Sequence, residues 1–539
     1  MATRSVPAAL TGGEERELPL GLTLLAGAVA AVVLSPLVWV VASALQASDW
    51  LDLIARPNTI RVFVNSALLV GVVTGASILL GVPTAYLTVR TDLPGRRAFT
   101  VLLAMPLVIP SYIGAFAFVS AFGPRGELRD LLVPLGVDRL PSIYGLFGAT
   151  LVLTLYTYPY VYITTRASLK SMDGRLVDAA RTLQHTRWGA FKRVTVPQIK
   201  PAVAAGALLT ALYTLSDFGT PAIVRFDAFT RVIFVEYNDV LGGGRDLAAL
   251  LSLQLVAVTF VILAVESRVR GSGVRSDRTD GGSTVRLGRW RWPATLFCGL
   301  VAALALLVPL AILGLWLVRG GGGVGAESLA FRPSYALNSV GVAAVAAVVA
   351  ALCALPVAYL STRSDAPLAW LIERATYVGY AVPGVVMGLA LVFFGARYGG
   401  TFYKQGLILL PLLIFAYVVR FLPQAVGSTR ASFLSVSRTL PEAARTLGRT
   451  PTRAFRDVVL PLVAPGVLGG AALVFLTTMK ELPATLLLRP PGFKTLVTYI
   501  WTAQQSGHYG LAAVPALMLL AVSAVSMLVI LHVEGYDVT

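Results

Sequence analysis

Charge is scarce in this sequence. Asp, Glu, Lys and Arg make up 13% of its 539 residues, against about a quarter in soluble domains, so a soluble multidomain chain is excluded. Cysteine is nearly absent, and the two present, Cys298 and Cys353, sit in separate apolar runs. They form no disulfide framework and no thiolate metal cluster. Histidine occurs at three scattered positions, His185, His508 and His532, so spacing assigns no metal site. There is no G-x-x-x-x-G-K-[S/T] phosphate loop and no nucleophile elbow with placed partners, so the chain reads as a non-enzyme. The glycine runs Gly242–Gly244 and Gly320–Gly323 follow no strand and punctuate loops.

What fills the chain instead is hydrocarbon, at 56% apolar residues. Runs of about 20 apolar residues are long enough to cross a bilayer as helices. Twelve such spans are expected, at 20–45, 62–88, 99–121, 142–165, 201–222, 247–266, 294–317, 337–360, 372–396, 405–427, 462–487 and 509–532. Only internally satisfied backbone survives in lipid, and continuous apolar runs outnumber alternating ones, so the expected fold is an all-α polytopic membrane protein. The segment 18–47 is long for a cleavable leader and is kept as the first span.

The formal charge of +17 does not point to nucleic acid, because the basic residues collect in short loops between apolar runs. Residues 166–200 hold eight Arg or Lys against two acids, and 266–292 hold seven Arg against three acids. Residues 122–141 and 223–246 have no such excess. The positive-inside rule puts the basic loops and both termini on the cytoplasmic side of the cell membrane.

The chain repeats itself. The stretch NSALLVGVVTGASILLGVPTAYLTVRTDLPG from Asn65 aligns with NSVGVAAVAAVVAALCALPVAYLSTRSDAPL from Asn338 at an offset of 273. This pairs Pro83 with Pro356, Tyr86 with Tyr359, Arg90 with Arg363 and Pro110 with Pro383. Farther on the offset is 264, pairing Arg166 with Arg430, Asp178 with Glu442, Phe191 with Phe455, Pro197 with Pro461 and Pro201 with Pro465. The difference falls in the loop near 122–141, where length changes cost little. The expected organisation is a first six-helix unit at 1–267, a cytoplasmic linker at 268–292 and a second six-helix unit at 293–539. Two units of six spans share one orientation, a parallel repeat. Linker residues 270–289, rich in Gly, Ser and charge, are expected to be a tether that packs little.

The most polar part of each repeat is a basic loop between spans, VDAARTLQHTRWGAFKRVTVPQIKPA at 177–202 and PEAARTLGRTPTRAFRDVVLPLVAPG at 441–466. EAARTLGR predicts a short helix with Pro441 at its first position, where a missing N–H costs nothing. Glu442, like Asp178, then faces the positive end of the helix dipole. Ala443 and Ala444, or Ala179 and Ala180, leave a face with little bulk, and Gly448 permits a turn before the next helix. Phe191 and Phe455 are expected to seat the elbow on the bundle. Pro197, Pro201, Pro461 and Pro465 are expected to shape its return into the membrane.

These paired stretches resemble the EAA loop of ABC-importer permeases: E-A-A, a glycine after it, then a hydrophobic–Pro sequence. The resemblance implies that residues 178–185 and 442–449 dock in clefts of two copies of a cytoplasmic ATPase subunit, which would bind ATP and Mg on the permease's behalf. The coupling residues would be Asp178, Ala179, Ala180 and Gln184, and Glu442, Ala443, Ala444 and Gly448. The first copy departs from the pattern at Asp178 and at Gln184, which stands where glycine is usual. An extracytoplasmic solute-binding protein is the second implied partner. The fused arrangement, with LSDFGTPAIV at 215–224 and MKELPATLLLRP at 479–490, is similar to the ferric-iron subgroup of these permeases. That implies Fe³⁺ or a small chelate as cargo; thiamine, phosphonate or another small solute is the alternative within the class, and an ATPase-independent secondary transporter the alternative outside it.

Asp217, Lys480 and Glu481 are charges near the far ends of apolar spans. Such charges are costly unless paired or hydrated, so the three are either gate or pathway residues or interfacial anchors. Tyr156, Tyr158, Tyr160 and Tyr162 alternate along one span and cannot share a helical face, so they read as packing or interfacial aromatics.

Overall fold

The computed structural model describes residues 20–46, 50–123, 142–173, 176, 180, 182, 186–239, 244–271, 284–319, 330–364, 366–437 and 439–533. Among these residues the chain is all-α, and its one β contact is an isolated bridge between Thr91 and Val285. Ten helical segments are long and apolar enough to span a bilayer, and twelve spans result when each of two bent helix pairs is counted as one.

The first half comprises α1 (Leu20–Leu45), α2 (Pro57–Arg90), the bent pair α3 (Arg96–Leu102) and α4 (Ser111–Phe122), α5 (Leu146–Ser171), α6 (Val196–Ser216) and α7 (Gly244–Gly271). The second repeats this order with α8 (Arg291–Ala302) and α9 (Val308–Arg319) as one span, then α10 (Ser334–Arg363), the bent pair α11 (Pro367–Ala381) and α12 (Gly384–Tyr398), α13 (Leu409–Ser435), α14 (Leu460–Met479) and α15 (Tyr509–Val533).

Two expected spans are corrected. Residues 99–121 and 372–396 are not straight crossings; the chain turns by 94° and 99° within them. The turns lie at Pro110 and Pro383, preceded by the extended residues Ile109 (φ −83°, ψ 121°) and Val382 (φ −88°, ψ 114°). Proline removes a donor and pushes the preceding residue out of the helical region. Beyond the turns, residues 111–121 and 384–392 are buried throughout. Hydropathy cannot separate a helix buried in protein from one facing lipid, so these segments resembled ordinary spans.

The same triad forms the centre of each half: α2, α5 and α6 in the first, α10, α13 and α14 in the second. The first span of each half leaves that centre and packs on the other half. Ala26, Ala30, Val33 and Val40 of α1 join a cluster with Val342, Ala346 and Ile372. Reciprocally, Cys298 and Val301 of α8 pack with Tyr158 and Tyr162, and Ile312 of α9 packs with Ala117 and Ala121. The halves are sequential in the chain and interlocked in space.

The linker expectation is also corrected. Residues 272–283 lie outside the described residues, but the end of the stretch is docked. Val285 N–H donates to Arg90 O (2.8 Å), Asp92 N–H to Val285 O (3.2 Å) and Leu287 N–H to the Asp92 carboxylate (2.7 Å). Composition suggested a free tether; paired backbone groups hold its far end against the end of α2.

Three π-turns, Phe191–Thr195, Ala303–Leu307 and Phe455–Val459, each end two residues before a proline: Pro197, Pro309 and Pro461. A proline inside a helix clashes with the carbonyl one turn earlier and leaves it without a donor. Widening that turn to i→i+5 spacing relieves the clash without breaking the helix.

Candidate functional site

The second elbow is fully described from Thr439. Its helix runs Thr439–Thr446, so Pro441 is its third residue rather than its first, still within the turn whose N–H groups have no intrahelical acceptor. Gly448 takes φ +83°. Gly448 N–H donates to Arg445 O (3.0 Å) and Arg449 N–H to Ala444 O (3.1 Å), the pattern of a Schellman cap. Thr450 then caps a new helix at Pro451, which widens into the π-turn and continues as α14. Glu442 and Ala443 are exposed, whereas Ala444 is buried, and the elbow helix packs on its own return at 451–459. Leu447 was not singled out from sequence, yet its side chain is 85% exposed at the tip of the elbow.

In the first elbow Asp178, Ala179 and Gln184 lie outside the described residues, and Ala180 is buried. The returns of the two loops are alike. Phe191 packs edge-on against Tyr86 of α2, with ring centroids 5.1 Å apart, and Phe455 against Tyr359 of α10 at 5.2 Å. Pro197 and Pro461 are the second residues of α6 and α14, while Pro201 and Pro465 lie inside those helices. The triad centres and elbows are thus joined by one aromatic contact repeated twice.

Arg90 adds a tie in the first half. Its buried guanidinium donates to Leu169 O (2.8 Å) and Met172 O (3.0 Å), holding the end of α5 where the first elbow begins. Arg90→Met is expected to cost about 1.5–3 kcal/mol, the worth of hydrogen bonds from a charged group. Faster amide exchange confined to the end of α5 and the elbow would register it; an unchanged exchange pattern would show that the tie is not limiting.

At the other end of α6 and α14 stand the charges noted in the sequence. Asp217 terminates α6, accepting from Ser111 Oγ (2.5 Å) and from Thr220 N–H (2.9 Å) at the start of the short helix Gly219–Ile223. Tyr213 Oη in turn donates to Ser111 Oγ (3.2 Å). Glu481 plays the same part after α14: its carboxylate accepts from Ala484 N–H (3.2 Å) and Thr485 N–H (3.1 Å) of the short helix Pro483–Leu488. It also pairs with Arg420 of α13 at 2.7 Å, with the Glu481 side chain only 2% exposed. Each carboxylate satisfies orphan donors at a helix start.

The repeat explains why the partners differ. Ser111, the first residue after the first bend, corresponds to Gly384 after the second. A Cβ at Gly384 would run into the Glu481 carboxylate and the Arg420 guanidinium. One half fills this space with a serine hydroxyl and the other with an ion pair. Lys480, adjacent to Glu481, does not pair with it; Nζ donates to Leu107 O of the first half at 3.3 Å. Arg420 was legible as a charge inside an apolar run but was passed over, and its partner 61 residues away carried no sequence signal.

Among the described residues no group of three or more His, Cys, Asp and Glu side chains is placed to hold a metal ion. Tyr156, Tyr158 and Tyr162 are buried packing residues, while Tyr160 is half-buried and lies against Tyr213 with ring centroids 6.0 Å apart.

Comparison with known proteins bears on this architecture. The family described as binding-protein-dependent transport system inner membrane component matches residues 77–271 and again 354–535. Both matches leave out the first span of their half, the element that packs on the opposite half. The Fe(3+)-transport system permease protein FbpB 2 of Haemophilus influenzae is 31% identical over 518 residues, covering 95% of this chain and 97% of that one. The ferric transport system permease protein FbpB of Actinobacillus pleuropneumoniae is 24% identical over 84% of this chain and 68% of its own. A probable molybdenum ABC transporter permease of Haloferax volcanii is 30% identical over 240 residues, 44% of this chain and 86% of its own.

Proposed function

The chain belongs to the inner membrane components of binding-protein-dependent transport systems, and from that membership we propose that it is the membrane pathway of an ATP-driven importer of ferric iron or a small ferric chelate. It is a multi-pass membrane permease whose family works with an ATPase and a solute-binding protein. In this reading two ATPase copies, carrying ATP and Mg, dock at residues 178–185 and 442–449 on the cytoplasmic face, where both termini also lie. The units 1–267 and 293–539 each supply one elbow. The binding protein delivers solute to the opposite face.

The observation that carries the cargo is the likeness to the Haemophilus ferric permease over nearly the whole of both chains. Geometry supports the coupling route. Each elbow runs through a π-turn into one continuous helix, and each helix ends at a carboxylate, Asp217 or Glu481. The 21 residues of α6 make a rod of about 31 Å. An elbow displaced by ATP binding therefore moves a buried polar contact on the far side, where Lys480 joins the halves. Asp217, Glu481 and Lys480 act here as gate residues, and Phe191, Phe455 and the four prolines keep elbow and rod moving together.

The test is reconstitution of the chain with its ATPase and binding protein in proteoliposomes, following radioactive ferric iron and ATP hydrolysis together. Iron uptake that requires both partners and ATP, by a complex with two ATPase copies per chain in native mass measurement, is the expected result. Uptake driven by an ion gradient without ATPase would overturn the importer reading; ATP-driven uptake of another solute with none of iron would overturn the cargo.

A further inference from the structure

A cavity of about 660 Å³ opens between the halves on the face opposite the elbows. The first half contributes Arg225, Arg231 and Tyr144, and the second Gln504, Trp501 and Tyr509. No Asp or Glu is among its lining residues. Asp227 pairs with Arg231 from outside the lining, and Arg225 lies over the Tyr144 ring at 5.3 Å. A second observation concerns how Arg225 is held. It is the one non-glycine residue with positive φ among the described residues, at +56°. The bond from Phe226 N–H to Pro221 O (2.8 Å) makes it the residue that closes the helix Gly219–Ile223, a position glycine usually occupies. Its repeat counterpart, Arg489, has ordinary extended backbone (φ −62°, ψ 136°). The fold therefore keeps a strained arginine at the cavity mouth where a glycine would be relaxed.

The floor of the cavity is aromatic. Phe218, directly after Asp217, packs with Phe234 (4.9 Å between centroids) and with Trp501 of the other half (5.4 Å). Gln504 presents an amide whose oxygen is buried without a hydrogen-bond partner; amide oxygen and nitrogen can exchange places by a flip, so it can also offer donors. The Arg225 guanidinium, an Arg231 guanidinium shared with Asp227, and an amide, with no carboxylate in the lining itself, suit the oxygens of a carboxylate or phosphate. A bare Fe³⁺ would be repelled. The volume is that of a site for a small organic ligand.

We propose that this cavity binds a small oxyanion-bearing ligand, its carboxylate or phosphate oxygens held between Arg225 and Arg231, above the Phe218–Phe234–Trp501 floor. On the importer reading above, on which this rests for its purpose, the ligand is the oxyanion-bearing chelator of a small ferric chelate. The cargo is then admitted as an anionic complex, and the arginines select for that charge.

The experiment is titration calorimetry of the assembled transporter with inorganic phosphate, citrate and ferric citrate, paired with iron uptake. Arg225→Gly relaxes the backbone, and an unchanged unfolding midpoint in detergent separates lost binding from misfolding. Arg225→Gly and Arg231→Gln are each expected to weaken citrate and ferric citrate binding about tenfold, one charged contact's worth. Arg225→Lys should keep most of the affinity, and uptake should fall in the same order. Ferric citrate binding more tightly than citrate identifies a metal complex as the occupant, whereas equal binding of phosphate and citrate identifies a free oxyanion; either supports the site. No anion binding, or equal binding in all variants, overturns it, and intact iron uptake in those variants would leave the importer reading standing. Anion binding without any iron uptake would remove the cargo assignment and leave the site.

Discussion

Arg420→Ala is expected to lower the stability of the folded chain by about 3–5 kcal/mol, the cost of leaving a buried charge without its partner. The Glu481 carboxylate is 2% exposed and has Arg420 at 2.7 Å as its charged partner. Its other partners, Ala484 N–H, Thr485 N–H and Thr485 Oγ1, are neutral. Removing the guanidinium leaves an anion in a pocket whose dipoles satisfy it only in part. Replacing both charges, as in Arg420→Met with Glu481→Gln, should recover more than half of the loss, because a buried pair contributes little net stability over neutral groups of similar size. Gly384→Ser, which installs the residue of the first half, should be nearly as harmful as Arg420→Ala, since its Cβ would fall on the ion pair. Unfolding midpoints in detergent, with size-exclusion profiles to detect aggregation, measure all three. A change below about 1 kcal/mol for Arg420→Ala, the range of exposed pairs, would show that water reaches Glu481 and that the pair contributes little to the fold.

Leu447→Asp is expected to remove ATPase docking at the second elbow while leaving the fold intact. The side chain is 85% exposed and gives up almost no internal contact, but an apolar tip on an otherwise polar loop has the character of an interface anchor. Such anchors are worth about 2 kcal/mol or more, roughly thirtyfold in affinity. Gly448→Gln acts through the backbone instead. At φ +83° a side chain costs about 1–2 kcal/mol, and relaxing it would undo the two cap hydrogen bonds and misdirect residues 442–447. The reciprocal Gln184→Gly should do less, because glycine can adopt any angle glutamine uses at an entropic cost of about 1 kcal/mol. Glu442→Arg should be worse than Glu442→Ala, since it places a cation at the positive end of a helix. Subunit stoichiometry and solute-stimulated ATP hydrolysis separate these effects. Normal assembly and stimulation in Gly448→Gln, with both abolished in Gln184→Gly, would make the first elbow the principal coupling element.

How much of this was legible beforehand differs from element to element. The elbow at 439–449 could be read locally, because proline, a short helix, glycine and a second capped helix obey rules that act within a few residues. Its register was off by two, since Thr439 and Leu440 join the helix ahead of Pro441. The linker end was misread because composition reports only how weakly a segment holds itself, whereas Val285 is held by α2. Leu447 was missed because exposure is a property of the folded surface; its neighbours in sequence are no guide to it.

The sequence by itself determined the membrane class, the duplication and the place of the two elbows. Those depend on hydropathy, charge sign and repeat register, which are summed along the chain and need no knowledge of what lies across the bundle. Only the tertiary structure decided which prolines break a helix. Pro36, Pro83, Pro159, Pro356 and Pro423 all lie inside unbroken helices, whereas the spans bend at Pro110 and Pro383. Each frees backbone groups locally, but whether the helix survives depends on what packs around it. The tertiary structure likewise chose Arg420 for Glu481, a serine for Asp217 and the opposite half as the seat of each first span. These are long-range choices, fixed by which side chains meet once the helices have packed, and no window along the chain contains both partners.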